Sequence, residues 1–210
     1  HIFMVDTYTG TPAMKIIWYG YALLLLVIAV RYRIVRPLRM WQTPWEVVRN
    51  VTETADIHTL WLRPVGHAGF NFEPGQFAWL NTGRTPFHLE QHPISISSSA
   101  EAASSGGREV AFTIKQLGDW SREKVPQIKP GDRIWVDGPC GAFTADREQG
   151  PGYVLIGGGV GITPLVSMCR TLADREDARP LVLFYAASHA EDIAFRSELD
   201  ALAQRPNLKV

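Results

Sequence analysis

The chain has little cysteine and no net charge, and both absences narrow what it can be. Its 210 residues include only two cysteines, Cys140 and Cys169, and 21 basic side chains balance 21 acidic ones. Two cysteines so far apart give no CxxC pair, zinc knuckle or iron–sulfur spacing, so we expect two reduced thiols in a cytosol-facing domain rather than a disulfide. No basic excess or RNA- or DNA-binding motif is present, so nucleic acid is not an expected partner.

A Met start and a signal peptide are also lacking, since the chain begins with His1. Its end, Asn207–Val210, looks like the start of a strand. We therefore expect both ends to be cut from a longer protein. The length suits one large or two small domains.

The chain contains one long uncharged stretch, Ile16–Val30. A membrane span needs roughly 20 apolar residues and at least about 17, and Lys15 can lie at the interface. Aromatic residues at one end and arginines at the other predict a span whose C-terminal side is cytoplasmic, the residues being Trp18, Tyr19, Tyr21, Arg31, Arg33, Arg36 and Arg39. The alternative is a buried helix of a soluble protein.

The domain organisation around this stretch follows from its flanks. Residues 1–12 are expected to be a membrane-proximal segment and residues 13–36 the span, with the cell membrane as location. Pro37 is expected to end the helix, and residues 37–44 are expected to be a linker.

Residues 45–148 alternate short β-branched or aromatic runs with turn residues. About six short strands separated by turns predict a small antiparallel β-barrel. We expect one helix near Ser121–Val125 and a flexible hairpin loop at residues 100–107. The clearest strand segments are Val47–Val51, Thr59–Pro64, Gln76–Leu80, Val110–Ile114 and Arg133–Asp137.

Residues 149–210 change to alternating strands and helices. Tyr153–Ile156 and Leu181–Tyr185 are continuous apolar runs, as in a parallel sheet, and Leu208–Val210 begins a third strand. This βαβαβ order predicts the first half of a dinucleotide-binding sheet, cut short.

Capping residues predict where its two helices begin. Thr163 is the expected N-cap of a helix reaching about Asp174, with Pro164 as its first helical residue. A capping box from Ser188 to Glu191 is expected to open a second helix that reaches about Gln204.

The glycine-rich run Gly157–Gly161 lies between the first strand of this half and its helix. Glycine lets the backbone approach a pyrophosphate, and the helix N-terminus supplies free N–H groups. The run departs from GxGxxG at Ile162, and no P-loop lysine follows. A tight turn without a ligand is the alternative. Ser188 is explained by capping, although Ser188 or Arg196 could also contact an adenosine ribose or 2′-phosphate.

The segment His92–Ser99 (HPISISSS) combines a histidine, a proline and four serines. A flavin needs hydrogen-bond donors at its ring edge and a cation or dipole for its pyrophosphate, which His92 and Ser95 could supply. Strand serines can also simply face solvent. Lys115–Ser121 (KQLGDWS) is a second candidate phosphate-holding turn at a helix start. A flavin segment followed by a nucleotide segment predicts hydride transfer from NAD(P)H to FAD.

Four segments in this order, HPISISS, KQLGDWS, VDGPCG and GGGVGITP, resemble the ferredoxin-reductase-type flavoproteins. More closely, they resemble the membrane ferric reductase and NADPH oxidase superfamily, particularly its bacterial members. The resemblance runs from about Trp45 to the end. It implies a membrane helix, the last one of a haem domain, followed by an all-β FAD-binding barrel (ferredoxin reductase-like) at residues 45–148 and a partial α/β NAD(P)-binding domain at residues 149–210.

The motifs and the resemblance together give the candidate site residues. No acid–base catalytic side chain is certain, because the cofactors carry the chemistry. Asp137 and Gly138 would lie by the cofactor junction. The expected FAD-binding residues are His92, Pro93, Ile94, Ser95, Ser97, Ser98, Lys115, Gly118, Trp120 and Ser121. The expected NAD(P)H-binding residues are Gly158, Gly159, Val160, Gly161, Thr163, Pro139, Ser188 and Arg196.

Some positions depart from the family pattern. Ile94 stands where an aromatic residue usually packs on the flavin, and Cys140 replaces a residue that is commonly aromatic. A basic reader of the 2′-phosphate is not evident, since His189 is the nearest candidate, so NADPH and NADH both stay open. His1 precedes the span where a haem-ligating histidine could fall; the alternative is a loop or tag residue.

The resemblance implies a membrane-bound oxidoreductase that passes electrons from NAD(P)H through FAD and membrane haem to ferric iron or oxygen. Two alternatives stay open. One is a flavin reductase component that feeds a ferredoxin or an oxygenase. The other is a non-enzymatic flavin-fold module for assembly or sensing. Membrane lipid and a small-molecule or metal-ion electron acceptor are the expected partners.

Overall fold

The N-terminal helix is unbroken from Pro12 to Gln42 in the computed structural model, which describes residues 10–101, 109–147 and 150–210. Helix α1 (Pro12–Val30) is followed by a wider π-type turn at Arg31–Val35 and by helix α2 (Arg36–Gln42). At the N-terminus, the Oγ1 atom of Thr11 accepts a hydrogen bond from the Met14 N–H (3.4 Å).

The expectation that Pro37 ends this helix is wrong. The Arg36 N–H donates to the Arg31 carbonyl, five residues back, so the turn before Pro37 is wider than an α-turn. A proline ring normally clashes with the carbonyl four residues earlier. The wider turn gives the ring room, and the helix continues for five more residues.

The apolar side chains of α1 lie exposed. None of them is buried, and exposed fractions reach 71% at Ile16 and 60% at Leu23. By length and composition, this is the one helix in the described ranges that could cross a membrane. A buried core helix passes the same test, but α1 is not buried.

Six antiparallel strands form the middle domain, in the spatial order β4-β3-β6-β1-β2-β5. An isolated bridge between Ile96 and Phe112 joins the two outer strands, so the sheet closes on itself. The predicted antiparallel barrel is confirmed. The strands are β1 (Trp45–Thr54), β2 (Ile57–Pro64), β3 (Phe77–Asn81), β4 (His92–Ser95), β5 (Val110–Lys115) and β6 (Arg133–Cys140).

The barrel interior is filled by the inward-facing residues of these strands. Trp45, Leu60, Leu80 and Phe112 are each at most 2% exposed and lie in one continuous apolar cluster. Burial of side chains this large contributes about 1.5–3 kcal/mol each. A π-type turn at Trp120–Lys124 and a 3₁₀ turn at Val125–Gln127 follow β5, near the helix expected at Ser121–Val125. Most of the loop expected at residues 100–107 lies outside the described residues.

Three parallel strands form the last domain, in the order β7-β8-β9, which confirms the βαβαβ prediction. Helix α3 (Ile162–Asp174) buries Leu165, Met168 and Leu172 against the sheet, on the face that the sequence predicts. The strands are β7 (Tyr153–Gly158), β8 (Leu181–Ala186) and β9 (Leu208–Lys209), and helix α4 (Arg196–Leu202) lies between β8 and β9.

Both predicted helix starts in this domain need correction. Helix α3 begins at Ile162 after the N-cap Gly161, so Thr163 and Pro164 are its second and third residues. Ser188 does not open a helix. A short 3₁₀ turn at Ala190–Asp192 comes first, and α4 starts only after Phe195, whose φ of 59° is left-handed. That reversal, rather than a capping box, sets the start of α4.

Candidate cofactor-binding cleft

A cleft of about 690 Å³ lies where the barrel meets the start of helix α3. Its size falls within the roughly 300–1,000 Å³ typical of cofactor sites. Residues from both motifs line it, although they are far apart in the sequence. The expected site residues found here are His92, Pro93, Ile94, Ser95, Lys115, Gly118, Trp120, Ser121, Val160, Gly161 and Thr163.

His92 and Trp120 stack inside the cleft, with ring centroids 3.8 Å apart and ring planes at 15°. The indole Nε1 donates to Thr82 Oγ1 (2.9 Å), which holds the edge of the ring in place. Burial lowers the pKa of His92 below its usual value, although Glu90 acts in the opposite direction. The imidazole is therefore neutral at pH 7.

The Nε2 atom of His92 is buried and has no hydrogen-bond partner among the described residues. Glu90 Oε1 lies 3.4 Å away but not in hydrogen-bonding geometry. An unpaired buried polar atom costs about 1–3 kcal/mol. At the wall of an open cleft, such an atom is suited to pair with a ligand.

Ser121 holds the turn that precedes it. Its Oγ accepts hydrogen bonds from the N–H groups of Leu117 and Gly118 (both 2.9 Å) and donates to the Gly118 carbonyl (2.9 Å). The hydroxyl is therefore fully used within the protein. Ser121 shapes the wall of the cleft and does not offer its hydroxyl to a ligand.

The charges around the cleft are mixed. Lys115 Nζ lies 3.2 Å from Asp56 Oδ2, so it is partly neutralised. The carboxylate of Glu90 is 3.1 Å from Lys124 Nζ, and the hydrogen bond from Lys124 lowers the pKa of Glu90. Lys115 is nevertheless the one Lys or Arg side chain among the described lining residues, and the candidate partner for a phosphate there.

The glycine run turns sharply between β7 and α3. A Cβ at Gly157 would lie 2.8 Å from Leu165 Cδ1, so a larger residue here would force the end of the Leu165 side chain to shift. A Cβ at Gly159 or Gly161 would meet nothing within 4 Å, and Gly159 has a φ of 51°. The backbone next to the cleft is thus left bare at two positions. Thr163 Oγ1 donates to the Val160 carbonyl (3.0 Å) and holds the turn.

Ser97 and Ser98, expected to bind flavin, do not line the cleft. Both are at most 1% exposed: Ser97 Oγ accepts from Thr113 Oγ1 (2.8 Å), and Ser98 Oγ accepts from the Ala111 N–H (3.1 Å). Their carbonyls accept from Arg170 Nη1 (2.5 Å) and Ser167 Oγ (2.7 Å) of helix α3. This segment joins the two domains.

Other expected residues also lie away from the cleft. The peptide bond between Gly138 and Pro139 is cis, and Pro139 is not among the residues that line the cleft. Ser188 is exposed beyond the end of β8, and Arg196 lines a separate groove beside Leu183. Neither lines the main cleft, and neither do Gly158 and Gly159. His1 lies outside the described residues.

Sequence reasoning missed several lining residues. Thr113 and Ile114 precede Lys115 on β5, and Glu90 lies two positions before His92, so proximity to the motifs was an available signal. Leu117 and Asp119 lie within the KQLGDWS segment itself. Pro164 closes the glycine-rich segment. Its lining role follows from the position of α3, which the sequence placed two residues too late.

Two families of known domains match the chain in this order. Residues 50–144 match an FAD-binding domain, and residues 155–210 match an oxidoreductase NAD-binding domain. The two matches cover the barrel and the α/β domain separately. Each contributes one side of the cleft.

Individual proteins resemble the chain over most of its length. The reductase component of propane 2-monooxygenase from Mycolicibacterium smegmatis is 34% identical over 149 residues, covering 70% of this chain and 41% of that protein. The flavohemoprotein of Bordetella pertussis is 33% identical over 172 residues, covering 79% of this chain and 42% of that protein. The chain thus spans about two fifths of the length of these relatives.

A solved structure has the same fold. The FAD/NAD-binding domain of nitric oxide dioxygenase from Vibrio cholerae superimposes with a TM-score of 0.68 at 26% identity. The match covers 80% of this chain and 71% of that one. It supports the FAD- and NAD-binding domains and says nothing about the exposed helix α1.

Proposed function

Because the chain belongs to the ferredoxin-reductase-like flavoproteins, with an FAD-binding β-barrel followed by an NAD-binding α/β domain, we propose that it is the flavin- and nucleotide-binding part of an NAD(P)H-dependent reductase. It takes electrons from NADH or NADPH and passes them to an acceptor on another protein or domain.

One observation carries this proposal. The His92 and Lys115 segments of the barrel and the Val160–Pro164 turn of the α/β domain line a single cleft. Hydride transfer requires the two cofactors to meet at close range in a defined orientation. A cleft shared by the two motifs supports such a meeting.

The residues present fit a flavin nucleotide. The buried, unpaired Nε2 of His92 supplies a hydrogen-bonding atom, and Lys115 supplies a positive charge for a phosphate. Trp120 and Ile94 supply apolar surface. The bare backbone at Gly159 and Gly161 is suited to a pyrophosphate at the start of helix α3.

When bound, FAD supplies the chemistry, since it accepts a hydride and can release electrons one at a time. The protein contributes binding, orientation and exclusion of water. Ser121 stabilises the Leu117–Gly118 turn and Thr163 stabilises the glycine-rich turn. Arg170 connects helix α3 to the barrel at the Ser97 carbonyl, so the spacing between the two sides of the cleft stays fixed. No side chain is assigned a proton-transfer role.

The named relatives favour a protein acceptor. They are a reductase component of a monooxygenase and a flavohemoprotein. By analogy, the electrons of this chain would go to an oxygenase, a ferredoxin or a haem domain. This is the alternative that the sequence left open, and the comparisons support it better than membrane haem and ferric iron.

The exposed helix α1 favours a second candidate. No α1 side chain is buried, so its apolar surface needs a cover. In this candidate, α1 is the last span of a membrane haem domain, the flavin part is cytoplasmic, and electrons pass through haem to ferric iron or oxygen. The comparisons give no support for that acceptor, so it ranks second.

The test is a flavin titration of the detergent-solubilised chain, followed by anaerobic NADH or NADPH. We expect FAD to bind and its visible absorbance to bleach when the nucleotide is added. Reduction of an added [2Fe–2S] ferredoxin faster than of ferric citrate would favour the protein acceptor. Faster reduction of ferric citrate than of the ferredoxin would favour the second candidate. Failure to bind FAD would overturn both.

A further inference from the structure

A second cleft, of about 450 Å³, lies where the N-terminal helix meets the barrel. We call it the arginine cleft. Helical residues form one wall and strands β3 and β6 form the other. Its lining residues are Arg31, Tyr32, Val35, Arg36, Arg39, Trp79, Asp137 and Cys140.

The arginine cleft carries more positive than negative charge. Of its three arginines, Arg36 is paired with Asp137, the one acidic residue in the lining. Arg31 and Arg39 have no ion-pair partner among the described residues. A guanidinium group presents donors in a fork that matches phosphate oxygens. The chemistry of the cleft therefore suits a phosphate group.

The position of the cleft indicates where that phosphate comes from. Arg31 directly follows α1, whose apolar side chains are all unburied. Cationic residues directly after an apolar span lie at the level of lipid headgroups and attract anionic lipids. A free phosphate in solution would have no need of the neighbouring apolar helix.

The other side of the same helix also combines arginines with exposed apolar side chains. Arg33 and Arg36 line a further groove of about 350 Å³ together with Phe87 and Leu89. Phe87 and Leu89 are 42% and 69% exposed, and Trp41 packs on Phe87 with centroids 6.2 Å apart. Exposed aromatic and apolar side chains beside arginines are typical of a membrane interface.

We propose that the arginine cleft binds the phosphate of an anionic phospholipid, with Arg31 and Arg39 as the phosphate ligands. This fixes the barrel against the membrane surface. Arg36 is already paired and sets the distance between helix and barrel. The proposal needs neither flavin nor nucleotide, so it is tested independently of the proposed function.

Cys140 offers a site-specific probe, because it lines the cleft and is partly exposed. Cys169 is fully buried, and burial raises its pKa to about 12, so it does not compete for an alkylating reagent. The rate of maleimide labelling of the detergent-solubilised chain therefore reports on Cys140 alone. A lipid headgroup in the cleft slows that rate.

The experiment titrates dioctanoyl phosphatidylglycerol against the labelling rate, with dioctanoyl phosphatidylcholine, glycerol 3-phosphate and inorganic phosphate as comparisons. We expect saturable protection by phosphatidylglycerol and little by the others. Equal protection by phosphatidylcholine would overturn the charge requirement. Equal protection by inorganic phosphate would overturn the lipid assignment.

Charge-matched variants complete the test. Arg31→Gln with Arg39→Gln should weaken phosphatidylglycerol about tenfold or more, because two charge-assisted hydrogen bonds are lost. Arg31→Lys with Arg39→Lys keeps the charge and the fold, and should bind at intermediate strength. Lys129→Gln with Arg133→Gln removes two exposed charges elsewhere on the barrel and should change nothing. Equal weakening by the cleft and control pairs would overturn the proposal.

Discussion

The imidazole of His92 lies flat on the indole of Trp120, with centroids 3.8 Å apart. The two residues come from different segments of the barrel, one on β4 and one in the turn after β5. The Trp120 Nε1 hydrogen bond to Thr82 holds the indole in place without any ligand. The wall of the main cleft is therefore preorganised, which reduces the ordering cost of binding.

Replacing Trp120 tests this wall. The stacking of Trp120 on His92 holds this wall in place, and aromatic stacking contributes about 0.5–1.5 kcal/mol beyond area burial. Trp120→Leu should therefore weaken FAD binding about 2- to 13-fold. Flavin fluorescence titration measures the change. Trp61→Leu is the control, because Trp61 packs under Arg49 outside the cleft (4.1 Å). Equal loss of affinity in both variants would contradict a specific role for Trp120.

Alanine variants of Ser121 and Ser95 should distinguish a residue that stabilises the fold from one that binds FAD. Ser121→Ala removes three hydrogen bonds of the Leu117–Gly118 turn and should cost about 1–3 kcal/mol of unfolding free energy. Ser95 lines the cleft, and its hydroxyl has no hydrogen bond among the described residues. Ser95→Ala should leave the urea midpoint unchanged and weaken FAD binding. The idea fails if Ser95→Ala destabilises the protein as much as Ser121→Ala.

The sequence predicted strands better than functional serines. Alternating apolar residues and turn signals located the strands because one face of each must be buried. Ser95, Ser97 and Ser98 look alike in sequence, yet only Ser95 reaches the cleft. The carbonyls of Ser97 and Ser98 accept hydrogen bonds from helix α3. Its Arg170 lies 73 positions away from Ser97. No local pattern carries that contact.

The helix starts were missed for a related reason. Pro37 and the Ser188–Glu191 box follow local rules that hold in an average context. Here, a wide turn at Arg31–Val35 accommodates the proline, and the left-handed Phe195 sets the start of α4. The ring of Phe195 lies under the Arg170 guanidinium (5.1 Å), so tertiary packing accompanies the unusual backbone.

Arg170 should be more important for stability than an exposed arginine. It donates to both carboxylate oxygens of Glu198 (2.6 Å each) and to the Ser97 carbonyl, and its side chain is 14% exposed. Arg170→Gln should lower the unfolding free energy by about 2–3 kcal/mol, because Glu198 is left partly buried and unpaired. The control is Arg63→Gln, whose exposed pair with Glu46 contributes under about 1 kcal/mol. Similar urea midpoints for the two variants would contradict this stabilising role of Arg170.

Gly159 should matter for the nucleotide beyond its effect on stability. Gly159 and Gly131 both have positive φ (51° and 94°), and a Cβ at either would meet no protein atom within 4 Å. Alanine at either position should cost about 1–2 kcal/mol of backbone strain. Only Gly159→Ala should also raise the KM for NAD(P)H, because its methyl group would lie at the nucleotide turn. If Gly131→Ala raises the KM equally, the glycine run is not a nucleotide site.

His58 should make the fold less stable in mild acid. It is 8% exposed, and its Nδ1 and Nε2 lie 3.3 Å from Asn50 Oδ1 and 3.2 Å from Gln116 Nε2. Burial lowers the pKa of His58 below 6.5, its ordinary value. Between the lowered folded pKa and 6.5, the unfolded chain binds more protons, so stability rises with pH across that window and is lost as pH falls through it.

Urea unfolding at several pH values from about 5 to 7.5 measures this dependence. We expect the unfolding free energy to fall toward pH 5, and His58→Gln to flatten the slope. His92 leaves a residual slope of the same sign, because burial lowers its pKa as well. The double variant with His92→Gln should therefore be flatter still. A slope that His58→Gln leaves unchanged would assign the acid sensitivity to other groups, because the burial of His58 would then not oppose its protonation.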